Sequence, residues 1–318
     1  MSTNNRRKFL QQIGGMAAGV AGMSLLGSNA FAAEAPKKLF FDISLAQWSL
    51  HKTFFSKELD TLDFPEVAKK KFGISTVEYV NQFFKDKAND KGYLKELLKR
   101  SKDNGVKNHL IMIDEEGALG DLDKQKRVQA VENHYKWVDA AKFLGCATVR
   151  VNAFGTGEPS AVKQAAADGL SRLGEYAGRE GINVIVENHG GLTSDASWLA
   201  AVMREVNRKN VGTLPDFGNF CIARAGENFW EGECINEYDR YKGTKELMPF
   251  AKGVSAKTFD FDAQGNCVET DYTKMMRIIN DSGFRGYMGI EYEGSSLSEE
   301  EGIRKTKALL ERIGANFS

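Results

Sequence analysis

The sequence predicts a single (β/α)₈ barrel. Eight short runs of β-type residues alternate with helical stretches from Lys38 onward, few prolines or low-complexity segments interrupt them, and a glycine repeatedly falls just before the next strand. Such alternation argues for a parallel sheet wrapped by helices, and eight is the strand number that closes a barrel. Residues 33–318 suffice for one barrel domain of the usual ~250 residues.

The chain begins differently. Asn5-Arg6-Arg7-Lys8-Phe9-Leu10 precedes an uncharged run from Ile13 to Leu26, and Ala30-Phe31-Ala32 follows. A basic n-region with paired arginines, a short apolar run and a small-residue cleavage site describe a twin-arginine signal peptide over residues 1–32, cleaved near Ala32. The apolar run is shorter than the ~20 residues a spanning helix needs. The expected partner of this segment is the twin-arginine export machinery, and the expected location is the periplasm or another exported compartment. Export in the folded state suits a protein that acquires a metal or cofactor first.

The chain carries 43 basic and 43 acidic residues, and removing residues 1–32 takes away Arg6, Arg7 and Lys8 but no acid. The mature chain is therefore net acidic and lacks the basic footprint of a nucleic-acid binder. Cys146, Cys221, Cys234 and Cys267 form no CxxC pattern. They are expected as free thiols, with Cys221 and Cys234 the one pair near enough in sequence to suspect of bonding.

The expected strands are 40–49, 75–83, 108–113, 148–154, 183–189, 211–217, 253–259 and 287–293. Helical patterns lie between them, among them Ala161–Glu180, Ala196–Val206 and Glu299–Ile313. The last is introduced by Ser298 with Glu301 three residues on, a capping-box spacing. Gly73, Gly105, Gly145, Gly181 and Gly283 stand where helices should end, a position that favours the left-handed backbone glycine adopts at little cost. Residues 218–236, rich in aromatics and glycine, look inserted after the sixth strand. On the active-site side of a barrel they would form a substrate-covering loop.

Barrel chemistry is built from the C-terminal ends of several strands. The fifth ends in Glu187-Asn188-His189-Gly190-Gly191, the sixth in Asp216-Phe217-Gly218-Asn219, the seventh in Ser255-Ala256-Lys257 and the eighth in Glu291-Tyr292-Glu293-Gly294. Alternation points Glu291 and Glu293 the same way, and likewise Ser255 and Lys257. Any one such acid serves about as often as a helix cap or solvated loop group. Three acids converging on the axis, Glu187, Asp216 and Glu291, would repel one another unless a cation or a shared proton neutralised them. One divalent metal is the economical solution. Oxygen ligands favour Mg²⁺, Mn²⁺ or Ca²⁺, while Zn²⁺ and Co²⁺ also accept carboxylate and imidazole.

In order and spacing, VENHGG (186–191), LPDFGN (214–219), Ala256-Lys257 and GIEYEG (289–294) resemble the xylose-isomerase-like sugar phosphate isomerase/epimerase superfamily. GFRGYMGIEYEG and FGISTVEYVN resemble its eighth- and second-strand signatures. The resemblance covers most of the mature chain and implies a barrel with one divalent metal held by Glu, Asp, His and Glu from strands five to eight. Glu187, Asp216 and Glu291 match. The histidine does not, because Ser255 stands in the place of His in the His-x-Lys of many members. His189 is a possible substitute, and Asn219 stands where a substrate-contacting histidine often follows the sixth-strand acid.

An α-hydroxy carbonyl sugar bound through two oxygens to a metal has its adjacent C–H acidified. Glu187 and Glu291, flanking that carbon, could remove and return the proton through an enediolate. Return to the other face epimerises, return to the neighbouring carbon isomerises, and loss of a β-leaving group eliminates. The leading expectation is a metal-dependent isomerase or epimerase of a free sugar or derivative. The alternatives are a lyase on oxidised keto-sugars or glycosides, with Lys257 polarising the keto group or acting as acid, and a non-catalytic sugar-binding protein. A salt bridge from Lys257 to one of the acids is at least as expected.

Trp48 could wall a sugar ring or simply pack the barrel mouth. Arg150 and Asn152 share an inward face, where Arg150 is expected to steady a carboxylate more than to bind substrate. His51, His109 and His134 form no constellation, and His134, within a helix, is expected to be at the surface or partly buried. A histidine-rich trinuclear nuclease site cannot be built from four histidines so placed. Isolated apolar residues on the outer helices are compatible with a homodimer and do not require one.

Overall fold

The computed structural model describes residues 38–226 and 231–317; the expected signal peptide, residues 1–32, lies outside them. Ten strands and nine helices are described: β1 (Asp42–Ala46), α1 (His51–Phe55), α2 (Phe64–Phe72), β2 (Thr76–Val80), α3 (Lys91–Asp103), β3 (Lys107–Met112), α4 (Lys124–Leu144), β4 (Thr148–Val151), α5 (Pro159–Arg179), β5 (Asn183–Glu187), α6 (Ala196–Val206), β6 (Val211–Leu214), β7 (Cys221–Arg224), β8 (Cys234–Glu237), α7 (Arg240–Leu247), β9 (Val254–Thr258), α8 (Tyr272–Asp281), β10 (Tyr287–Tyr292) and α9 (Glu299–Gly314). Strands β7 and β8 form a separate antiparallel hairpin, so the seventh and eighth barrel strands are β9 and β10. None of the described helices is long and apolar enough to cross a membrane.

The eight barrel strands are parallel, in the order β6-β5-β4-β3-β2-β1-β10-β9. Bridges Thr213↔Ala251 and Asp216↔Ser255 close the ring between β6 and β9. Pro215, between those bridges, has no N–H to give, and its carbonyl accepts from Ser255 N at 2.9 Å, so this seam is pinned at points instead of running as a ladder. Gly212 permits the approach, because a Cβ there would lie 2.3 Å from the Phe250 carbonyl oxygen.

Alternation along each strand separates two cores. Val149 and Val151, Val184 and Val186, and Val254 and Ala256 join the large apolar layer between barrel and helices. The barrel lumen holds a small apolar cluster of Ala46, Val80, Leu110, Met112, Ile185 and Leu214. Above it the lumen turns polar.

Helix ends follow the sequence signals. Asp90, Asp123, Asp195, Asp239, Asp271 and Ser298 cap α3, α4, α6, α7, α8 and α9 by accepting from backbone N–H groups, and Ser298 with Glu301 completes the capping box. Gly73 and Gly145 end α2 and α4 at φ 67° and 76°, where any Cβ would be strained.

Three expectations need correction. His134 is buried, not near the surface; its Nδ1 lies 2.7 Å from the Ala130 carbonyl oxygen on the inner side of α4. Cys221 and Cys234 are disulfide-bonded and tie β7 to β8, whereas Cys146 and Cys267 are free and buried. Trp48 lies beyond the end of β1, on a single 3₁₀ turn, Gln47–Leu50.

Candidate active site

Glu187 ends β5, Asp216 follows β6 and Glu291 lies near the end of β10; all three are buried, with exposures of 0 %, 0 % and 3 %. One oxygen from each lies within 4.8 Å of the others. The surrounding hydrogen bonds saturate one side of each carboxyl. Asp216 Oδ1 accepts from Gly218 N at 2.8 Å and Asn219 N at 2.9 Å. Asn219 Nδ2 donates to Glu187 Oε1 at 2.9 Å, and Ser255 Oγ donates to Glu291 Oε2 at 3.1 Å. Buried Asn188 fixes the end of β6 against β5, accepting from Asp216 N at 2.8 Å and donating to the Asp216 carbonyl oxygen at 2.9 Å.

Two oxygens are left facing inward: Glu187 Oε2 and Asp216 Oδ2 are buried and accept no hydrogen bond. Arg150 Nε lies 2.8 Å from Glu187 Oε2 without the alignment of a hydrogen bond, so that contact is purely an ion pair. The guanidinium also binds Asp114 Oδ1 through NH1 at 2.6 Å. Arg150 thus bridges two carboxylates, as its inward position on β4 suggested, while remaining in the wall of the main cavity.

Lys257 Nζ lies 2.8 Å from Glu293 Oε2, 3.0 Å from Glu291 Oε1 and 3.9 Å from Asp216 Oδ2. Burial alone would lower its pKa, but Asp216, Glu291 and Glu293 outweigh it and hold the ammonium well above its ordinary value. Lys257 is therefore a fixed cation, not a base. Burial opposes ionisation of Glu293 too, yet Lys257 holds its pKa down to about 2. Glu293 also accepts from the Trp48 indole N–H, which ties the aromatic wall to the lysine.

The remaining acids are pushed the other way. Burial raises Glu187 to about 7 against the pull of Arg150, with Glu291 adding to the rise. Burial raises Asp216 to about 8 despite Lys257. Glu78, on β2 below the cluster, is raised to about 7 by burial and takes a hydrogen bond from Ser44 at 2.5 Å. Gly289 makes room for it, since a Cβ there would lie 2.8 Å from its carboxylate.

Among the described residues, Arg150 and Lys257 are the buried cations beside Glu78, Asp114, Glu187, Asp216, Glu291 and Glu293, and Arg224 reaches only the cavity wall. An excess of buried carboxyls, two of them with an oxygen that accepts no hydrogen bond, fits a divalent cation. Glu187, Asp216 and Glu291 would hold it. Ser255 supplies no nitrogen, and His189 stands outside the cluster: its Nδ1 lies 2.9 Å from Asn152 Oδ1. Burial and then Arg150 lower the His189 pKa to about 3, so the ring is neutral.

Above the cluster opens a cavity of about 470 Å³. Trp48, Phe154 and Phe259 give it aromatic surface, and Arg150, His189, Asn219, Lys257, Glu291 and Glu293 also reach its wall. Every site residue singled out from sequence lines this cavity or the acidic floor beneath it. Sequence reasoning assigned no role to Glu78, Asp114, Gln82 or Arg224. Asp114 follows an apolar strand as the other acids do, and Glu78 has the inward phase of β2, so both carried a usable signal. Arg224 reaches the cavity through the β7–β8 hairpin.

The family described as xylose isomerase-like TIM barrel matches residues 67–313. The chain belongs to this family. No curated protein matches it by sequence. Among solved structures it is similar to a sugar phosphate isomerase/epimerase from Parabacteroides distasonis, with 16% identity, 88% of this chain and 95% of the other covered, and a TM-score of 0.64. The IolI protein with a bound zinc atom aligns at 15% identity over 87% and 99% of the two chains, TM-score 0.63. D-psicose 3-epimerase, solved with D-fructose, aligns at 12% over 87% and 96%, TM-score 0.60. At such identities the structural likeness carries the fold, and membership rests on the family match.

Proposed function

We propose that the protein is a metal-dependent isomerase or epimerase of a free sugar or sugar derivative. The observation that carries this reading is the convergence of Glu187, Asp216 and Glu291, each held at one oxygen by neutral donors, with Glu187 Oε2 and Asp216 Oδ2 accepting no hydrogen bond and approached, among the described residues, only by the Arg150 and Lys257 cations. A divalent ion there (Mn²⁺, Mg²⁺, Co²⁺ or Zn²⁺) would supply Lewis-acid polarisation of an α-hydroxy carbonyl substrate.

The protein's own residues do the rest. Glu187 on β5 and Glu291 on β10, three strands apart around the ring, serve as the acid/base pair that removes and returns the carbon-bound proton. Burial keeps Glu187 near neutrality, where a carboxyl exchanges protons in both directions. Lys257, permanently charged, steadies negative charge developing on a substrate oxygen. Asn219 holds Glu187 by its Oε1, and Arg150 limits how far that carboxyl can swing. Trp48, Phe154 and Phe259 offer faces for sugar C–H groups and keep bulk water from the reacting carbon.

Elimination of a β-substituent from the same enediolate is the second reading, favoured by the Lys257 ammonium at the cavity wall, whose fixed charge can steady the negative charge developing on a leaving oxygen. The export reading of residues 1–32 places this chemistry in the periplasm, on unphosphorylated sugars. The Cys221–Cys234 bond suits such an oxidising compartment.

The test is solvent deuterium exchange into ketoses and keto-glycosides by the Mn²⁺-loaded protein, beside a Glu187→Gln/Asp216→Asn variant of equal thermal stability. Deuterium at one carbon without loss of a substituent supports isomerisation or epimerisation. Exchange accompanied by an unsaturated product selects elimination. Binding with no exchange at all would leave a sugar-binding protein.

A further inference from the structure

A second cavity, of about 240 Å³, lies at the barrel mouth, walled by Ala118, Asp121, Gly155, Thr156 and the Gly190–Thr193 turn. Phe154 lines both it and the main cavity. The chain passes from one to the other in the same sense at two places. Asn152 and His189 line the main cavity, and the segments that follow them, Gly155-Thr156 and Gly190-Gly191, line the second. The second cavity is therefore the outward continuation of the first across the ends of β4 and β5, with the Phe154 ring between them.

Glycine keeps this wall bare. Gly155 cannot carry a side chain, because a Cβ would lie 2.2 Å from the Gly120 carbonyl oxygen. Gly190 and Gly191 turn through φ 89° and 58°, and a Cβ on Gly191 would meet nothing within 4 Å. Besides the glycines, the lining consists of the Phe154 ring, the apolar Ala118, Ala153 and Leu192, and the polar Asp121, Thr156 and Thr193. An aromatic face with hydroxyl-binding groups at its edge suits a pyranose ring, and Asp121 disfavours an anionic one. The space equals that of about eight waters, enough for a single ring.

We propose that this cavity is a second sugar subsite, so that the substrate is a neutral glycoside or disaccharide with its reacting ring over the acidic cluster and its second ring beyond Phe154. The inference rests on the sugar reading of the acidic site and names the substrate class within it.

Calorimetric titration of the full protein with glucose, cellobiose and maltose tests it, together with Thr156→Trp, which fills the second cavity from an exposed position, and Phe154→Leu, which keeps bulk but removes the stacking face. At least one disaccharide should bind about tenfold or more tighter than glucose. Thr156→Trp should abolish that advantage while glucose changes by less than about twofold, and Phe154→Leu should reduce it. The proposal is overturned if neither disaccharide binds more tightly than glucose, or if Thr156→Trp weakens both sugars alike. Because binding needs no proton transfer, preferential disaccharide binding without deuterium exchange would sink the isomerase reading and leave the subsite. Exchange without such preference would do the reverse.

Discussion

Ser255 Oγ donates to Glu291 Oε2 at 3.1 Å, across the seam where β9 pairs with β10. Serine stands here where the resemblance implies a histidine ligand, and its hydroxyl occupies one oxygen of a neighbouring acid. Ser255→His should return the nitrogen, and Mn²⁺ affinity of the metal-stripped protein should rise about tenfold or more, measured by titration calorimetry. Unchanged affinity at equal thermal stability would mean that position 255 does not face the cation.

Metal binding should depend on pH because protons occupy the site first. Burial holds Glu187 at about 7 and Asp216 at about 8, so a cation arriving near neutrality must displace protons. Affinity should climb from pH 6 to above pH 8, with proton release visible as a buffer-dependent binding enthalpy. In the metal-free protein both folded pKa values lie above the unfolded ones. The stability these protons contribute is full below pH 4 and lost as pH rises through 7 and 8. Metal-free protein should therefore melt at a lower temperature at pH 8.5 than at pH 6, and Mn²⁺-saturated protein should lose less. A metal-free melting temperature that rises over this interval would contradict the assignment.

Lys257 holds two acids that have no other cation within ion-pair distance among the described residues. Lys257→Met keeps the stem and removes the ammonium, leaving Glu291 and Glu293 paired with nothing positive. Breaking a buried ion pair by removing one partner costs about 3–5 kcal/mol, and the partial exposure of Glu293 argues for the lower end. Urea unfolding of the metal-free variant should show that loss, with part of it recovered by Mn²⁺. A cost below about 1 kcal/mol would show that the acids simply take up protons instead.

The acids at the strand ends were legible because a barrel obliges apolar strands to finish in polar groups on one face, and Glu187, Asp216 and Glu291 each break an apolar run at that point. The helix ends were legible for a local reason: Gly73 and Gly145 sit where only a positive φ ends the turn cheaply. Glu78 was passed over because it lies in mid-strand, between Val77 and Tyr79, and its partner Ser44 is 34 residues away. Its inward phase was readable; the room made for it by Gly289 was not. The β7–β8 hairpin escaped because Cys221–Arg224 and Cys234–Glu237 are short, without clear alternation, and joined by no two-residue turn signal. Burial of His134 follows from how α4 rolls onto the barrel, which no local pattern in the helix dictates.

Far from the chemistry, His109 sets a second pH limit. Its ring packs 4.2 Å from the Tyr287 ring, its Nδ1 is buried without a hydrogen bond, and burial, reinforced by Lys107, lowers its pKa from 6.5 to about 4. Between those values the unfolded chain binds a proton that the folded chain refuses, so stability falls as pH drops from 6.5 toward 4. At 1.36 kcal/mol per pH unit the full effect is about 3 kcal/mol. His109→Gln removes one of the buried histidines that titrate there, beside His134 and His189, and should make the acid limb of a plot of unfolding free energy against pH shallower by that share, while leaving most of the loss between pH 6 and 8.5 in place. If the two limbs changed together, His109 would be coupled to the acidic cluster; an unchanged acid limb would mean that its ring is protonated in the fold.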